Sequence, residues 1–252
     1  MLALERQKKI IELLDCDGVV LVSKLSLDLG VTEETIRRDL EKLEKHDMLR
    51  RTHGGAVPFD ESAYDLSLET RKRKNTDEKQ KLAKAAVKFI SPGDTIFLDA
   101  ATTTFFIAKE IKSIHNLTVI TNSMRVLTEL AGLDTVKVIA IGGAVSQNQS
   151  LVGNIAEQCI ENYFANKMFF SSKGLTSQAG ILDSNAEESG IKKKMMQNCS
   201  NIYYMCDSSK IGKVGFIKLA NFTDIDAFIT SADIDDALRE KLTEAEVEIV
   251  IA

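Results

Sequence analysis

The sequence predicts an α/β protein with two domains, a small helical domain at residues 1–57 and a larger domain with a mostly parallel sheet at residues 75–252. In the first 57 residues, three segments with apolar residues at helical spacing precede two β-prone stretches around Gly54-Gly55. From residue 75 onward, short apolar stretches alternate with amphipathic segments, which is typical of a parallel sheet that helices cover on both faces. Residues 58–74 contain one of the two prolines and lack apolar periodicity, so we interpret them as a linker.

The composition is that of a soluble globular protein, with 44% hydrophobic and 27% charged residues, which excludes a disordered chain. No apolar stretch approaches the roughly 20 residues that span a bilayer. Because the N-terminus also lacks the uninterrupted apolar segment of a signal peptide, we expect a cytoplasmic protein without a membrane partner. The four cysteines and three histidines lie at spacings that fit no metal site, so we predict neither a metal nor a cofactor.

The charge distribution limits how this chain can bind nucleic acid. The net charge is −5, and none of the three segments is basic overall. Binding to DNA must therefore use individually placed arginines instead of a polybasic surface. The basic run at residues 71–74 of the linker is interpreted as a solvated surface, with auxiliary phosphate contact as the alternative.

The small domain has the pattern of a helix-turn-helix with a wing. A first helix covers residues 4–15, and Ser23 is expected to cap a second, short helix that Gly30 ends. Thr32 is expected to cap a third helix. Two short helices joined by Gly-Val-Thr are typical of a helix-turn-helix, and the hairpin around Gly54-Gly55 is typical of a wing.

The outer face of the third helix carries candidate DNA-contacting side chains. With Ile36 directed inward, Arg38 lies about 200° around the helix and points outward. A recognition helix reaches base edges with its N-terminal half, where arginine pairs bidentately with guanine and threonine contacts a thymine methyl or a phosphate. The alternative is an ordinary solvated helix with i,i+4 pairs such as Glu34–Arg38. The candidates on this helix and the wing are Thr32, Glu34, Thr35, Arg37, Arg38, Arg50, Arg51 and His53.

The larger domain is expected to open with a capping box. Asn75 as the cap and Glu78 three residues later predict a helix through Ile90. The strands that follow are predicted at residues 95–99, 117–121, 136–141, 167–171, 202–206, 227–230 and 247–251. The helices between them are predicted at residues 103–111, 124–131, 154–163, 186–199 and 235–242.

Polar stretches follow several of the predicted strands. Residues 99–104 run from a strand into a helix, and backbone N–H groups at a helix N-terminus beside three threonine hydroxyls suit a phosphate monoester. The alternative is a plain threonine cap. Further polar stretches lie at residues 121–123, 142–143, 171–174 and 207–210. Because ligands of parallel sheets bind beyond the carboxyl ends of the strands, we expect these stretches to share a ligand pocket.

Two groups of motifs resemble one known family. Residues 30–40, Gly-Val-Thr-Glu-Glu-Thr-Ile-Arg-Arg-Asp-Leu, and residues 51–56, Arg-Thr-His-Gly-Gly-Ala, resemble the N-terminal signature of DeoR-type transcriptional repressors. The sensor domain of the same family is resembled by residues 99–104, 121–123, 142–143, 174–176 with Glu187-Glu188, and 207–210, so the resemblance covers nearly the whole chain. It implies double-stranded operator DNA as a partner and a sensor domain that resembles the fold of ribose-5-phosphate isomerase. It also implies a phosphorylated sugar or related intermediate as the effector, which usually releases the repressor from DNA.

The resemblance also implies roles for single residues. The three threonines at 102–104 bind the phosphate with Lys210 as its countercharge and Lys173 as a weaker competitor, and Asp99, Asn122 and Glu187 are candidates for sugar hydroxyls. The family often has glycine where this chain has Ala101, and a methyl group there narrows the approach of phosphate or alters φ. The candidate effector-binding residues are Asp99, Ala101, Thr102, Thr103, Thr104, Thr121, Asn122, Ser123, Gly143, Ser172, Lys173, Gly174, Glu187 and Lys210.

Two residues of the small domain have open roles at this stage. Asp39 lies close to the buried stripe of the third helix, so we interpret it as an arginine-orienting or structural group and not as a reader of bases. His53 either contacts the DNA backbone or shapes the hairpin, and we favour the structural role.

Three functional hypotheses compete. The first is a repressor of a sugar-utilisation operon that acts as a homo-oligomer, since two recognition helices meet the half-sites of a two-fold operator. The second is an isomerase-like enzyme with a DNA-binding appendage. The isomerases place acidic residues after the strand that corresponds to residues 167–171, where this chain has Ser-Ser-Lys-Gly, so we predict binding without turnover, although Glu187 or Glu188 remains as a base. The third is an architectural DNA-binding protein, which the lack of basic charge opposes.

Overall fold

The computed structural model describes residues 3–17, 19–46, 48–57 and 68–252, in two compact units that span Met1–Lys74 and Asn75–Ala252. The N-terminal unit contains α1 (Ala3–Asp17), β1 (Val20–Leu21), α2 (Val22–Leu29), α3 (Glu33–Lys45), β2 (Arg50–Thr52), β3 (Gly55–Val57) and α4 (Leu68–Arg73). Its three strands form an antiparallel sheet in the order β1–β3–β2. The predicted helix-turn-helix with a wing is confirmed.

The three N-terminal helices pack their apolar faces into one small core. Ile10 and Leu14 of α1 meet Leu25 of α2 and Ile36 and Leu40 of α3, and all five are buried. Burial of one such side chain stabilises the fold by about 1.5–3 kcal/mol relative to its exposure to water. The small unit therefore holds its helix-turn-helix through packing and not through helix propensity alone.

The predicted cap at Ser23 is wrong. Helix α2 begins at Val22, and the residue before it, Leu21, makes no side-chain cap hydrogen bond. The N–H group of Val22 instead donates to the carbonyl of Gly54 at 2.9 Å. The hairpin thus satisfies the first amide of α2, so the helix starts without a side-chain cap.

Part of the predicted linker is helical. Helix α4 covers Leu68–Arg73, and it packs against α1 with Leu68 buried. The basic run 71–74 therefore overlaps the last turn of a helix. Residues 58–67 of the predicted linker lie outside the described residues.

The C-terminal unit is a seven-stranded parallel sheet with helices on both faces. Its strands are β4 (Thr95–Leu98), β5 (Leu117–Thr121), β6 (Val136–Ala140), β9 (Ala165–Phe170), β12 (Cys199–Cys206), β14 (Ala227–Thr230) and β15 (Glu248–Ile251). Its helices are α5 (Thr76–Val87), α6 (Phe105–Glu110), α7 (Met124–Leu130), α8 (Asn154–Ile160), α9 (Ala186–Gln197) and α10 (Asp236–Glu244). All seven strands overlap the predicted ones, and every pair in the sheet is parallel, which confirms the predicted fold class.

Alternate residues of each strand enter two separate cores. Ile96 and Leu98 of β4 face the core that α5, α6 and α7 cover, whereas Phe97 faces the core under α8, α9 and α10. This alternation follows from the pleat of a strand, in which successive side chains point to opposite faces. It explains why the strands read as continuous apolar stretches in the sequence.

The strand order creates one switch point. The order is β15–β14–β12–β9–β4–β5–β6, so the chain extends the sheet in one direction from β4 and in the other direction from β9. Loops that leave the carboxyl ends of these two strands diverge to opposite sides and leave a crevice between them. Geometry of this kind directs a ligand site to the loops after β4 and β9.

A second, smaller sheet is absent from the sequence prediction. The strands β10 (Gly174–Thr176), β11 (Gly180–Asp183) and β13 (Ile217–Ala220) form an antiparallel sheet, and β7 (Ala144–Val145) pairs with β8 (Leu151–Val152). These strands are only two to four residues long. Their periodicity is too short to separate them from loops.

The predicted capping box at the start of α5 is also wrong. Asn75 occupies the cap position with a left-handed backbone (φ 53°), and it makes no side-chain cap hydrogen bond. Its amide donates instead to Asp207, and the carboxylate of Glu78 accepts from Ser208 and Ser231. Both side chains are used by loops at the carboxyl end of the sheet.

Candidate functional site

The turn between α2 and α3 sets the direction of the candidate recognition helix. Gly30 ends α2 in the left-handed conformation (φ 63°), which glycine adopts at little cost. The hydroxyl of Thr32 then accepts the N–H group of Thr35 at 3.3 Å, so the predicted cap of α3 is confirmed. With Ile36 and Leu40 in the core, the opposite face of α3 is left outside it.

That outer face carries two arginines held by i,i+4 glutamates. Arg37 pairs with Glu33 at 2.7 Å and Arg38 pairs with Glu34 at 3.3 Å. The side chain of Arg38 is 74% exposed. Pairs of this exposure are weak, about 0.3–0.5 kcal/mol on a helix, so both guanidinium groups exchange these partners for others at low cost.

Asp39 is a structural residue. Its carboxylate is buried and contacts Arg6 Nε at 2.5 Å and Gln7 Nε2 at 2.8 Å. Both partners lie on α1, so Asp39 ties α3 to α1. The arginine that it orients is therefore Arg6, and neither Arg37 nor Arg38.

The wing places its two arginines and His53 in exposed positions. Arg51 is fixed to α3, because Glu44 accepts both its backbone N–H at 2.7 Å and its Nε at 2.9 Å. Sequence reasoning missed Glu44, which is separated from Arg51 by seven residues and has no helical spacing to it. Gly55 is required by space, since a Cβ there would lie 1.8 Å from the carbonyl oxygen of Val20.

In the C-terminal unit, Asp99 joins the two loops at the switch point. One carboxylate oxygen accepts the hydroxyl of Thr104 at 2.6 Å and the N–H of Ala101 at 3.2 Å, and the other accepts the N–H of Ser171 at 3.2 Å. Burial raises the pKa of Asp99, against the opposing effects of Lys192 and of these hydrogen bonds. Asp99 and Thr104 thus support the loops from inside.

Lys210 reaches across the switch point to the threonine loop. It ends the short 3₁₀ turn Ser208–Lys210 after β12, and its ammonium lies 3.0 Å from the hydroxyl of Thr103 and 2.5 Å from that of Ser171. Asp207 lies 3.7 Å from the same ammonium. The two residues predicted to bind phosphate together, Thr103 and Lys210, are therefore neighbours although 107 positions separate them. The side chain of Lys210 keeps 15% of its surface exposed.

Asp207 organises the loop that carries Lys210. Its Oδ1 accepts the N–H and the hydroxyl of Ser209, and it also accepts Asn75 Nδ2 at 3.1 Å. Burial alone would raise the pKa of Asp207, but Lys210 and these hydrogen bonds outweigh burial and hold the pKa below its usual value. Asp207 is therefore a fixed negative charge beside Lys210.

The loop after β5 contributes a second polar group. Asn122 is 2% exposed, and its Nδ2 donates to the carbonyl of Leu151 at 3.4 Å. Its Oδ1 is buried and has no hydrogen-bond partner among the described residues. The neighbouring hydroxyls are used internally, since Thr121 donates to the carbonyl of Leu98 and Ser123 caps α7.

The structure places Glu188, and not the predicted Glu187, in the interior. Glu187 is exposed, whereas Glu188 is buried and its Oε1 accepts Ser150 Oγ at 2.7 Å and Asn148 Nδ2 at 3.0 Å. Adjacent helical residues differ by about 100° in direction, so the two glutamates face different surroundings, and the role predicted for Glu187 in binding sugar hydroxyls stays a prediction. Without the position of α9, the sequence gives no way to choose between two adjacent glutamates.

A buried lysine that sequence reasoning missed lies behind these loops. Lys192 Nζ contacts Asp183 at 2.5 Å and Asp99 at 3.6 Å, and its side chain is 7% exposed. Burial disfavours its charged form, but Asp183, Asp99 and Glu188 outweigh burial and raise the pKa of Lys192 above its ordinary value. The spacing of four residues between Glu188 and Lys192 on α9 was the available signal.

The remaining predicted residues are small or point elsewhere. The backbone of Ala101 is not in the left-handed region, so an L-residue fits there without strain. Ser172 turns inward and hydrogen bonds the hydroxyl of Tyr204 at 2.8 Å. A Cβ at Gly174 would lie 2.8 Å from the carbonyl oxygen of Lys210, and one at Gly143 would lie 2.6 Å from that of Val152. Both glycines thus permit close packing, whereas Lys173 is partly exposed.

Comparison with known families decides the relationship. The family described as the DeoR-like helix-turn-helix domain matches residues 6–62, and the DeoR C terminal sensor domain matches residues 74–232. The chain belongs to the DeoR family.

DeoR-family relatives match the chain over nearly its whole length. An uncharacterized HTH-type transcriptional regulator of Bacillus subtilis, YulB, is 40% identical over 99% of this chain and 96% of its own. A lactose phosphotransferase system repressor of Streptococcus mutans is 34% identical over 94% of this chain and 95% of its own. The solved ribose 5-phosphate isomerase A of Methanocaldococcus jannaschii is similar over 56% of each chain, at 18% identity and a TM-score of 0.42.

As a DeoR-family member, the chain is a DNA-binding regulator of transcription. Its relatives are regulators and not enzymes by name. Among the described residues, no helix has the length and apolarity needed to cross a membrane.

Proposed function

We propose that this DeoR-family regulator represses a sugar-utilisation operon and leaves its operator when a phosphorylated sugar binds at the switch point of the C-terminal sheet. The proposal rests on the contact of Lys210 with Thr103, which lie on the loops after β12 and β4. The ammonium of Lys210 is 3.0 Å from the hydroxyl of Thr103. A cation and hydroxyl donors that converge at a switch point suit an anionic ligand. The proposed effector site consists of Asp99, Ala101, Thr102, Thr103, Thr104, Thr121, Asn122, Ser123, Gly143, Ser172, Lys173, Gly174, Glu187 and Lys210.

The neighbouring polar groups favour a sugar attached to that anion. Asn122 follows β5, which is the strand next to β4, and neighbouring strands lie about 4.8 Å apart. A phosphate beside Thr103 therefore leaves a sugar ring within reach of the side-chain oxygen Oδ1 of Asn122, which lacks a protein partner in the described part of the chain. A buried acceptor without a partner costs about 1–3 kcal/mol, which a ligand hydroxyl would recover. This supports a hydroxylated anion over inorganic phosphate.

The DNA-contacting role is proposed for the exposed face of α3 and the wing. Arg38 is the proposed reader of a guanine, because it points away from the core and holds Glu34 only weakly. Arg50 and Arg51 on β2 are proposed to contact phosphates of the DNA backbone. The full proposed set is Thr32, Glu34, Thr35, Arg37, Arg38, Arg50, Arg51 and His53.

Release requires that the effector prefer the state that does not bind DNA. A homo-oligomer presents two wings to two half-sites, and the effector favours an arrangement that does not fit their spacing. Couplings of this kind are typically about 1–3 kcal/mol, or about 5- to 150-fold in affinity. An effector that strengthens operator binding would reverse the sign of this coupling while leaving the site unchanged.

The site binds without turnover, because no carboxylate follows β9 in residues 171–174.

Thermal stability against a panel of sugar phosphates tests the proposal. Each phosphate is paired with its unphosphorylated sugar, and a ligand at 100 times its Kd stabilises the folded state by about 2.7 kcal/mol. For a domain of this size that is a shift of about 5–10 °C. We expect phosphate-dependent shifts that Lys210→Met abolishes and that Lys218→Met, a change at an exposed lysine on β13, preserves. Equal shifts without phosphate, or none in the whole panel, would contradict the proposal.

A further inference from the structure

The Lys210 loop is tied to the first residues of the C-terminal unit. Asn75 is the first residue of that unit, directly after Lys74, which ends the N-terminal unit. Its Nδ2 donates to Asp207 Oδ1 at 3.1 Å, across 132 positions of sequence. The same Asp207 lies 3.7 Å from the ammonium of Lys210. The carboxylate of Asp207 thus contacts both Lys210, which is proposed to bind the phosphate, and Asn75 at the start of α5.

A second residue of α5 holds the same loop. The carboxylate of Glu78 accepts the N–H and the hydroxyl of Ser208, each at 2.9 Å, and the hydroxyl of Ser231 at 2.6 Å. Ser208 and Lys210 belong to one 3₁₀ turn. The adjacent Lys79 is buried, and its charge also acts on Asp207. The start of α5 therefore holds the loop through several hydrogen bonds.

We infer that Asn75 and Glu78 are positioning residues, which hold the Lys210 loop in the conformation that binds the effector. They also transmit the binding of the effector to the chain segment that leads to the DNA-binding unit. The inference rests on the proposed function, since it assumes an anion at Lys210. It assigns a use to two side chains that would otherwise form an ordinary helix cap.

The physical step is a competition for one ammonium. A phosphate beside Lys210 replaces part of the Lys210–Asp207 attraction and adds negative charge close to Asp207. The carboxylate then depends more on its remaining donors, of which Asn75 is one. Asn75 has a left-handed conformation at the unit boundary, so its hydrogen bond to Asp207 connects the loop to the backbone at that boundary. The loop and the boundary thus respond to the same ligand.

The test compares Asn75→Gly with a matched control, Asn116→Gly. Both asparagines have positive φ, 53° and 60°, which glycine adopts without strain, so both variants remove only a side chain. Asn116 is exposed in the turn before β5. Glu78→Gln is compared in the same way with Asp77→Asn, an exposed neighbour in the first turn of α5.

The first measurement is the ratio of operator affinities with and without effector, in the full chain. The operator is selected from random duplexes, and the effector is whichever of glucose 6-phosphate, fructose 1-phosphate, fructose 6-phosphate and ribose 5-phosphate stabilises the unmodified protein most. Loss of one hydrogen bond of this kind is expected to reduce the ratio by about two- to tenfold in Asn75→Gly and Glu78→Gln. Both controls keep the original ratio. An unchanged ratio in both test variants overturns the inference.

The second measurement needs no ligand. Hydrogen exchange of residues 207–213 should accelerate in Asn75→Gly and Glu78→Gln and remain unchanged in Asn116→Gly and Asp77→Asn. If none of the four sugar phosphates binds the unmodified protein, the proposed function fails, and the exchange result alone decides whether these residues position the loop. Exchange equal to that of the controls overturns the inference.

Discussion

Replacement of Lys192 by methionine tests the buried charge cluster of the C-terminal unit. In the folded protein this ammonium contacts Asp183 at 2.5 Å and Asp99 at 3.6 Å, and Glu188 also acts on it. Methionine has a similar length and no charge, so it leaves the carboxylates buried without their cation. Lys193→Met is the matched control, because Lys193 is the next residue of α9 and is exposed.

The expected magnitude follows from the burial of the pair. Removal of one partner from a buried ion pair typically costs about 3–5 kcal/mol, since an uncompensated charge remains. At about 2–4 °C per kcal/mol for a domain of 150–250 residues, that lowers the Tm by about 6–20 °C. The exposed control should remain within about 0.5 kcal/mol of the unmodified protein.

The pH dependence identifies the cause of the loss. Without Lys192, Asp99 loses the cation that opposes the effect of burial, so it holds its proton more tightly in the folded protein than in the unfolded chain. The folded state then binds more protons, so stability decreases as the pH rises through the range above the ordinary Asp pKa of about 4. The deficit of Lys192→Met should therefore shrink as the pH falls from neutrality toward the ordinary Asp pKa of about 4.

Calorimetric unfolding at several pH values measures both effects. A loss that is the same at every pH would show that methionine disturbs packing and that the carboxylates are not the cause. A Tm within 2 °C of the unmodified protein at about pH 8 would refute the reasoning altogether.

Three further predictions concern the two candidate sites. Arg38→Ala should weaken operator binding by about 5- to 150-fold and leave the thermal shift by effector unchanged; a normal operator affinity by fluorescence anisotropy would exclude Arg38 as a base reader. Thr103→Val should lower effector affinity by about two- to tenfold by removing the hydroxyl beside Lys210, with operator affinity preserved; an unchanged dose response would move the phosphate elsewhere. Gly55→Ala should unfold the wing or destabilise the small unit by about 1–3 kcal/mol, because its Cβ would meet the Val20 carbonyl, whereas Gly54→Ala meets no atom within 4 Å and should behave as the unmodified protein in circular dichroism.

Local patterns predicted the elements well where the physical cause is local. The inner strands of the parallel sheet are buried on both faces, so their apolar stretches are visible in the sequence. Thr32 caps α3 and Gly30 ends α2 because a cap or a left-handed turn needs only the residues beside it. The short strands β10, β11 and β13 were not predicted because three or four residues are too few to show the period of a strand.

The hydrogen-bond partners of side chains were predicted less well than the helices and strands of the backbone. Asn75 and Glu78 have the spacing of a capping box, but distant loop atoms at Asp207 and Ser208 take their hydrogen bonds. The competition between a local and a distant partner is decided by which of them the fold brings within about 3 Å, and the sequence contains no distance of that kind. The threonine loop shows the same limit, since Thr104 serves Asp99 while Thr103 meets Lys210.

The sequence by itself determined the order of elements, the two units and the family, because these depend on periodicity, caps and contiguous motifs. Only the tertiary structure decided that Lys210 meets Thr103, that Glu188 and not Glu187 is inside, and that Lys192 is buried among carboxylates. The physical reason is that charges and hydrogen bonds act over a few ångströms in space, whatever their separation along the chain. The strand order, with its switch point between β4 and β9, is what converts separate polar stretches into one site.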